Sequence, residues 1–322
     1  MPSSAAKLHH SQKKVDKIKS QEDGKKEEEE VVAGKNKYLK ENSHSSFLQS
    51  SSPNPHVDLN SMMKKSQTRV RKMLEGKPEF VMSLVETRNV LEKFAKNKTT
   101  FVVLHVDLVG STKMAMRLPI DRLTMIIQAF NQEMSLAVKA FGGYILKYVG
   151  DAVLAFFILP GHESEAKVVC INAINCAKYM LRIAHEAINP ILKQYGCPEM
   201  NLRIGVDIGE NAIIQSGWDI HTNIRNRHKN SMKTIITNRN KKHQQHLLVK
   251  KPVYDVLSYT LSIAVKMTAL ASPNHLVIGD PVYTGLDYKQ RSGFQPVHIS
   301  PDLWDYVCKN SKGNLYNLYT DI

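Results

Sequence analysis

The sequence predicts an α+β domain in which strands and helices follow the ferredoxin-like βαββαβ order, with additions. Short apolar runs rich in β-branched residues alternate with longer segments whose apolar residues recur at helical spacing. Two of the apolar runs are joined tightly through Gly150-Asp151, as in a hairpin. A chain of 322 residues, 42% of them hydrophobic, is long enough to bury the core of such a domain.

The first half of the domain supplies the βαββ part of this order. A buried strand is predicted over 101–107, where the run FVVLHVD ends in Asp107 before a Gly-Ser-Thr turn. A helix is predicted over 119–141 because its apolar residues have helical spacing and a Gly-Gly pair follows it. Strands over 144–149 and 152–159 complete the hairpin.

The second half supplies the remaining helix and strands. The predicted elements are a helix over 163–192 that breaks near Pro190, strands over 201–215, a helix over 259–270, and strands over 275–279 and 315–320. Together with the first half they predict a two-layer sheet with its helices on one face.

Composition divides the chain into three parts. Residues 1–61 are rich in Ser, Lys, Glu, Asn and His, and bury too little apolar surface to offset chain entropy, so a disordered low-complexity tail is predicted. Residues 62–98 are predicted to form a basic amphipathic lead-in helix, and residues 99–322 form the main domain. Within that domain, residues 217–251 are predicted to form a basic insertion loop.

The net charge of +14 is concentrated in two segments. Residues 61–98 carry a surplus of six positive charges and residues 217–251 a surplus of eight, whereas the remaining chain is nearly neutral. Such segments could contact nucleic acid or anionic lipid through their charge. Both lack interleaved aromatic side chains for base stacking, which favours a solvated surface instead.

Several protein classes are excluded by simple counts. No stretch approaches the roughly 20 apolar residues that a membrane span needs. The first residues, MPSSAAKLHH, contain no apolar core of the kind that a secretory signal has. The four cysteines lack CxxC spacing and the density of a disulfide scaffold, which predicts reduced thiols and a cytoplasmic location.

Two carboxylates and a small-residue turn stand out as candidate chemistry. Asp107 ends the first strand and Asp151 lies in the turn of the hairpin, so neighbouring strands would place them close together. Carboxylate oxygens suit Mg²⁺ or Mn²⁺, and the backbone N–H groups of the turn Gly110-Ser111-Thr112 suit phosphate. Each aspartate alone could simply form a turn, but an ionised carboxylate closing an apolar strand is costly without a partner.

These residues lie in blocks that resemble the catalytic domain of class III nucleotidyl cyclases, the family of adenylate and guanylate cyclases. The blocks are FVVLHVDLVGST, FGGYILKYVGDAVLAFF, NLRIGVDIGE and VYDVLSYTLSIAVKMTALASPNHLVIGDPVY, which together span about residues 99–286. The resemblance implies the ferredoxin-like α+β fold of that family. It also implies a reaction in which a nucleoside triphosphate gives a 3′,5′-cyclic nucleotide and pyrophosphate.

The resemblance assigns roles to the matching positions. Asp107 and Asp151 would bind two Mg²⁺ or Mn²⁺ ions, with support from the backbone of Leu108. Arg203 would contact the phosphates of the nucleotide. Because the family's active sites form between two protomers, the resemblance also implies a homodimer.

Base recognition is assigned by the resemblance to Lys147 and its partner Asp255. A Lys donor and an Asp acceptor complement the N1 acceptor and 6-amino donor of adenine, and guanine reverses both groups. The pair therefore favours ATP over GTP, because the wrong base would leave buried polar groups unpaired. The alternative is that Lys147 is an ordinary surface lysine on a strand.

The chain departs from the family pattern along the helix after Asp255. Where the family has Gly, Asn and Arg, this sequence has Ser258, Ser262 and Lys266. Ser262 is shorter than Asn by an amide, and Lys266 keeps the charge of Arg without its planar fork of donors. The leading hypothesis is an adenylate cyclase with Ser262 and Lys266 as catalytic residues. The alternative is a catalytically weak cyclase-homology module that binds nucleotide or dimerises.

Overall fold

The computed structural model describes residues 58–80, 84–95, 97–159, 165–224, 246–308 and 313–322, of which 220–224 and 246–249 are described by their backbone alone. The helices are α1 (Leu59–Leu74), α2 (Val85–Phe94), α3 (Ser111–Arg117), α4 (Ile120–Ala140), α5 (Ala166–Ile183), α6 (Asn189–Gln194), α7 (Tyr259–Leu270), α8 (Asp280–Gly285) and α9 (Tyr288–Arg291). The strands are β1 (Lys98–Val109), β2 (Tyr144–Val149), β3 (Ala152–Ile158), β4 (Asn201–Ile224), β5 (His246–Leu257), β6 (His275–Gly279), β7 (Phe294–Pro296) and β8 (Leu318–Asp321). A π-helical turn (Ala184–Ile188) joins α5 to α6.

The strands form one mixed sheet in the order β2-β3-β1-β4-β6-β8-β7, with β5 paired to β4. Strands β1 to β4 are antiparallel neighbours in this order, which is the ferredoxin-like pattern, so the predicted fold class is confirmed. Strand β6 then adds in parallel to β4. The predicted helix over 119–141 and the hairpin match α4, β2 and β3 closely.

Helices cover both faces of the sheet, so the expectation of helices on one face was wrong. Alternate residues of β1 face opposite sides: Val102 and Leu104 pack in a cluster with residues of α1, α4 and α5. Phe101 packs on the opposite side with residues of α2, and Val103 packs there against Ala264 of α7. Because β1 is buried on both faces, it reads as an almost continuous apolar run.

Helix α7 lies directly on β4 because two glycines leave room for it. A Cβ at Gly205 would lie 2.5 Å from both the Ala264 carbonyl oxygen and Thr268 Oγ1, and a Cβ at Gly209 would clash with Thr260. The apolar side chain of Met267 fills the remaining space against the sheet. The close approach brings the end of α7 near Arg203 of β4, which donates to the Ala269 carbonyl at 3.2 Å.

The lead-in segment is two helices rather than one. Helix α1 begins at Leu59, within the predicted tail, while residues 1–57 lie outside the described part of the chain. It packs on α4, where the guanidinium of Arg69 makes two hydrogen bonds of 2.6 and 2.7 Å to the buried carboxylate of Glu133. Helix α2 spans Val85–Phe94 and packs on the opposite face of the sheet. Helix α1 therefore belongs to the main core.

The basic insertion was predicted as a loop, but its two flanks are strands. Residues 217–224 continue β4, and 246–251 begin β5, so the two strands pair as a long antiparallel ribbon. Residues 225–245, which hold most of the predicted loop, lie outside the described residues. At the base of the ribbon, Ile213 and Val256 pack with Phe101 and Phe156, which holds the ribbon against the sheet face that α7 covers.

Candidate active site

Asp107 and Arg203 lie opposite each other on the two central strands. They are direct partners in the β1–β4 register, and Arg203 Nη2 donates to Asp107 Oδ2 at 2.9 Å. Both side chains are about one-quarter exposed. Arg203 also donates through Nη1 to the carbonyl of Ala269 at the end of α7, while its buried Nε has no hydrogen-bond partner. Arg203 thus links the first predicted carboxylate to α7.

Asp151 follows Gly150 in the β2–β3 turn, where Gly150 adopts a φ of +61° that disfavours a side chain. Its neighbour Ala152 is the cross-strand partner of Asp107, so the register brings the two aspartates to the same end of the sheet. His105 lies on β1 two residues before Asp107. It is buried, and its Nδ1 atom lies 3.1 Å from Thr268 Oγ1. Burial lowers the pKa of His105, and the two carboxylates act in the opposite direction.

The chemistry of this end fits a hard divalent cation. Two carboxylates suit Mg²⁺ or Mn²⁺ when a triphosphate and water supply the other ligands. Among the described residues, no group of three or more His, Cys, Asp or Glu side chains is arranged to hold a metal ion by itself. The side chain of Leu108 is buried in the core, so only its backbone is available, as the resemblance implies.

The turn after β1 is arranged as the sequence predicts. Gly110 has a φ of +77° and caps α3, whose first residues are Ser111 and Thr112. No side chain caps this helix end. Gly110 and Thr112 are exposed, and Ser111 is partly buried.

Lys147 and Asp255 form an ion pair, although 108 positions separate them in sequence. Lys147 Nζ lies 2.6 Å from Asp255 Oδ2, and both side chains are more than one-third exposed. The ion pair forms because Ile213 and Val256 of the ribbon pack on the sheet, which places Asp255 of β5 next to Lys147 of β2. The two predicted base-recognition residues thus lie in contact within a single protomer, and their joint role stays a prediction.

Of the three departures from the pattern that the resemblance implies, Ser258 is the N-cap of α7, and Ser262 and Lys266 lie on one exposed face of this helix. The hydroxyl of Ser258 caps the helix by accepting from the Leu261 N–H at 2.8 Å. Ser262 donates back to the Ser258 carbonyl at 3.2 Å, and Lys266 lies one turn further along, with its ammonium 5.2 Å from the centroid of the Tyr306 ring. In this conformation Ser262 and Lys266 make contacts within their own protomer.

The structure adds residues that the sequence reading missed. Tyr306 contacts Lys266, and Tyr316 donates a 2.5 Å hydrogen bond to buried Asp207. The pKa of Asp207 is raised to about 7, because burial and, more weakly, the charge of Asp280 outweigh the lowering by hydrogen bonds from Tyr316 and the Ile208 N–H. Asp207 falls in the NLRIGVDIGE block, but no local pattern indicates its distant partner.

Comparison with known proteins identifies nucleotide cyclases among the relatives of this chain. The chain is 29% identical over 130 residues to a cytidylate cyclase from Escherichia coli. The aligned region covers 39% of this chain and 28% of the relative. It is 32% identical over 112 residues to a cytidylate cyclase from Staphylococcus aureus. In this case the aligned region covers 34% of this chain and 26% of the relative. The chain is similar to nucleotide cyclases. The predicted resemblance is confirmed.

The similarity has clear bounds. The chain spans about a quarter of the length of these two relatives. Among solved structures, the adenylyl cyclase CyaB from P. aeruginosa matches with a TM-score of 0.49 and 16% identity, over 70% of this chain and 95% of that chain. No family model matches the chain. Among the described residues, none of the helices has the length and apolar content to cross a bilayer.

Proposed function

We propose that this protein is a metal-dependent nucleotide cyclase whose substrate is a nucleoside triphosphate with an amino base, ATP or CTP. The observation that carries the proposal is the Lys147–Asp255 pair, a donor and an acceptor 2.6 Å apart and both accessible to a base. The two carboxylates Asp107 and Asp151 share one end of the same sheet. The protein would thus have groups suited to the base and groups suited to the triphosphate.

The pair selects a class of base rather than one base. Adenine presents a ring-nitrogen acceptor beside an amino donor, and cytosine presents the same two groups at N3 and N4. Lys147 can donate to the ring nitrogen of either base while Asp255 accepts from its amino group. Guanine and uracil present a ring N–H beside a carbonyl, which leaves both side chains unmatched. Two relatives named cytidylate cyclase support including CTP beside ATP.

The remaining residues would act on the triphosphate. A divalent cation held by Asp107 and Asp151 would supply Lewis-acid stabilisation of the phosphate charge. Arg203 would donate to phosphate oxygens through the same guanidinium that now contacts Asp107. Lys266 would contribute a positive charge and Ser262 a hydroxyl, and both lie on the exposed face of α7, where a second protomer could approach. We therefore propose a homodimer acting in the cytoplasm.

A second candidate function is a nucleotide-binding module with weak or no catalysis. The observation that favours it is the placement of Ser262 and Lys266, which contact Ser258 and Tyr306 of their own protomer. In this candidate function, the Lys147–Asp255 pair still binds the base and the two carboxylates still bind the cation, but no product is formed. It differs from the cyclase in one measurable respect, which is product formation.

The deciding experiment measures cyclic-nucleotide formation by the purified full chain with Mn²⁺ and each of the four ribonucleoside triphosphates. We expect product from ATP, CTP or both, and little from GTP or UTP. The double variant Lys147→Asp/Asp255→Lys keeps the ion pair but exchanges donor and acceptor, so it should shift the preference toward GTP and UTP. Folded protein that binds ATP or CTP but forms no product would establish the binding module instead. A preference for GTP in the wild type would contradict the role of the pair.

A further inference from the structure

We infer that Tyr306 is a positioning residue that holds the Lys266 ammonium in place for the phosphate-transfer step. The inference rests on the proposed function, because Lys266 has a role only if the chain binds a triphosphate. No residue of the C-terminal segment (Ser300–Cys308) was predicted to belong to the site. The structure connects that segment to the face of α7 that carries Lys266.

The contact itself joins an exposed cation to an aromatic face. Lys266 Nζ lies 5.2 Å from the ring centroid of Tyr306, within the distance at which a cation is attracted to the face of an aromatic ring. Asp305, next to Tyr306 in the chain, contributes a favourable charge interaction. Tyr306 is the main cause that raises the pKa of Lys266, and Asp305 acts in the same direction. An exposed lysine is protonated at neutral pH, and these neighbours favour its charged form further.

Tyr306 can orient Lys266 because it is itself held firmly. Its ring packs edge-on against the ring of buried Trp304, with centroids 4.7 Å apart. Its carbonyl accepts from the Tyr316 N–H at 2.8 Å, and the Trp304 indole donates to the Tyr316 carbonyl at 2.7 Å. Tyr316 is anchored in turn to Asp207 of β4. The central sheet thus supports the ring on which Lys266 rests.

The same segment is fastened to the start of α7. The hydroxyl of Tyr259, the first residue of α7, donates to the Val307 carbonyl at 2.8 Å. Lys266 and Tyr259 lie two turns apart on this helix, so the segment contacts α7 at two separated points. The segment therefore lies along two turns of α7, from Tyr259 to Lys266.

A lysine at this position needs such support more than an arginine would. The guanidinium of Arg is planar and presents its donors in a rigid fork, whereas Lys carries a single ammonium on a flexible stem. Ordering that stem costs side-chain entropy each time a phosphate is bound. An aromatic face that already holds the ammonium reduces this cost. Tyr306 thus offsets part of the ordering cost that a lysine at position 266 has relative to an arginine.

The test is a double-mutant cycle in the full-length protein with Mn²⁺ and its preferred triphosphate. We expect Tyr306→Leu to lower kcat about two- to fivefold with little change in KM, since an exposed cation–π contact is worth about 0.5–1 kcal/mol. Tyr306→Phe keeps the ring and should retain most of the activity. In a Lys266→Met background, Tyr306→Leu should have no further effect. Tyr288→Leu, which truncates a tyrosine that is 90% exposed, is the matched control.

Two kinetic outcomes would overturn the inference. Equal losses from Tyr306→Leu with and without Lys266 would show that Tyr306 acts independently of the lysine. Full activity in Lys266→Met would show that the lysine has no role to be positioned for. Either result leaves the proposed cyclase activity intact, so the two failures are distinguishable.

A second measurement does not depend on turnover. In the ¹³C NMR spectrum of lysine-labelled protein, the ring current of Tyr306 should shift the Lys266 ε-methylene resonance. We expect the shift to persist in Tyr306→Phe and to vanish in Tyr306→Leu. A wild-type resonance at the value of a free lysine would overturn the inference. If the wild type formed no cyclic nucleotide, the proposed function would fail and this signal would still decide whether Tyr306 holds Lys266.

Discussion

The two ends of the candidate site are built in different ways. The carboxylate end belongs to the centre of the sheet, where Asp107 is held by strand register and by Arg203 on the next strand. The α7 end presents Ser262 and Lys266 on an exposed helix face, where Ser262 contacts Ser258 of the helix cap and Lys266 contacts Tyr306 of the C-terminal segment. The carboxylate end keeps the residue types that the resemblance implies, whereas the α7 end departs from them. Side chains within the sheet are constrained by neighbours on every strand, and an exposed helix face tolerates substitution more readily.

The largest expected effect is at the carboxylate end. Asp107→Asn preserves the shape of the side chain but removes the charge that a divalent cation requires. We expect the rate of cyclic-nucleotide formation to fall by about 10³-fold, since a bound cation supplies several kcal/mol of charge stabilisation. The matched control Asp121→Asn changes an exposed aspartate in the first turn of α4 and should keep its activity. Equal rates for the two variants would contradict the assignment of Asp107.

The next effect concerns Asp207, which supports the C-terminal segment through Tyr316. Because its pKa is raised to about 7 in the folded state from an ordinary value near 4, folding favours the protonated acid. This contribution to stability is complete below pH 4 and is lost as the pH rises to about 7. The free energy of unfolding should therefore fall by an amount on the order of a few kcal/mol over that range.

The variant Asp207→Asn isolates this contribution. Its amide oxygen can still accept from Tyr316 but carries no titrating proton. Urea unfolding at pH 5 and pH 8 should show that the stability of Asp207→Asn relative to the wild type increases with pH. The same relative stability at both pH values would contradict the raised pKa.

A smaller effect is expected where α7 meets the sheet. Gly205→Ala places a Cβ 2.5 Å from the Ala264 carbonyl oxygen, so the helix must move away from β4. We expect a loss of about 1–3 kcal/mol in the free energy of unfolding, as overpacking typically costs. Gly285→Ala is the matched control because, outside the adjoining backbone of its own helix, no atom lies within 4 Å of its added Cβ. A Gly205→Ala variant as stable as this control would show that α7 is not tightly docked.

The smallest effect tests whether the α7 end can be restored. Ser262→Asn supplies the amide that the family carries at this position. A neutral hydrogen bond contributes about 0.5–1.5 kcal/mol, so we expect a rise in kcat of up to about tenfold. Steady-state kinetics with the preferred triphosphate would measure it. An unchanged kcat would mean that residue 262 does not reach the nucleotide.

Much of the carboxylate end was predictable from local patterns. An apolar run that ends in Asp107 and a tight Gly-Asp turn both place their carboxylates at strand ends, whatever the rest of the chain does. The α7 end was less predictable. Most residues of α7 are apolar, so helical spacing alone does not show which face packs on the sheet. The glycines at 205 and 209 decide that face through close contact.

The sequence by itself determined the order of strands and helices and the positions of the two carboxylates, because periodicity and turn residues act over a few positions. Only the tertiary structure decided that helices cover both sheet faces and that α1 joins the core through Arg69 and Glu133. It also decided that Tyr306 meets Lys266. These contacts join residues 40 or more positions apart, and they depend on how helices and the ribbon pack on the sheet. Packing of that kind leaves no local signal in the sequence.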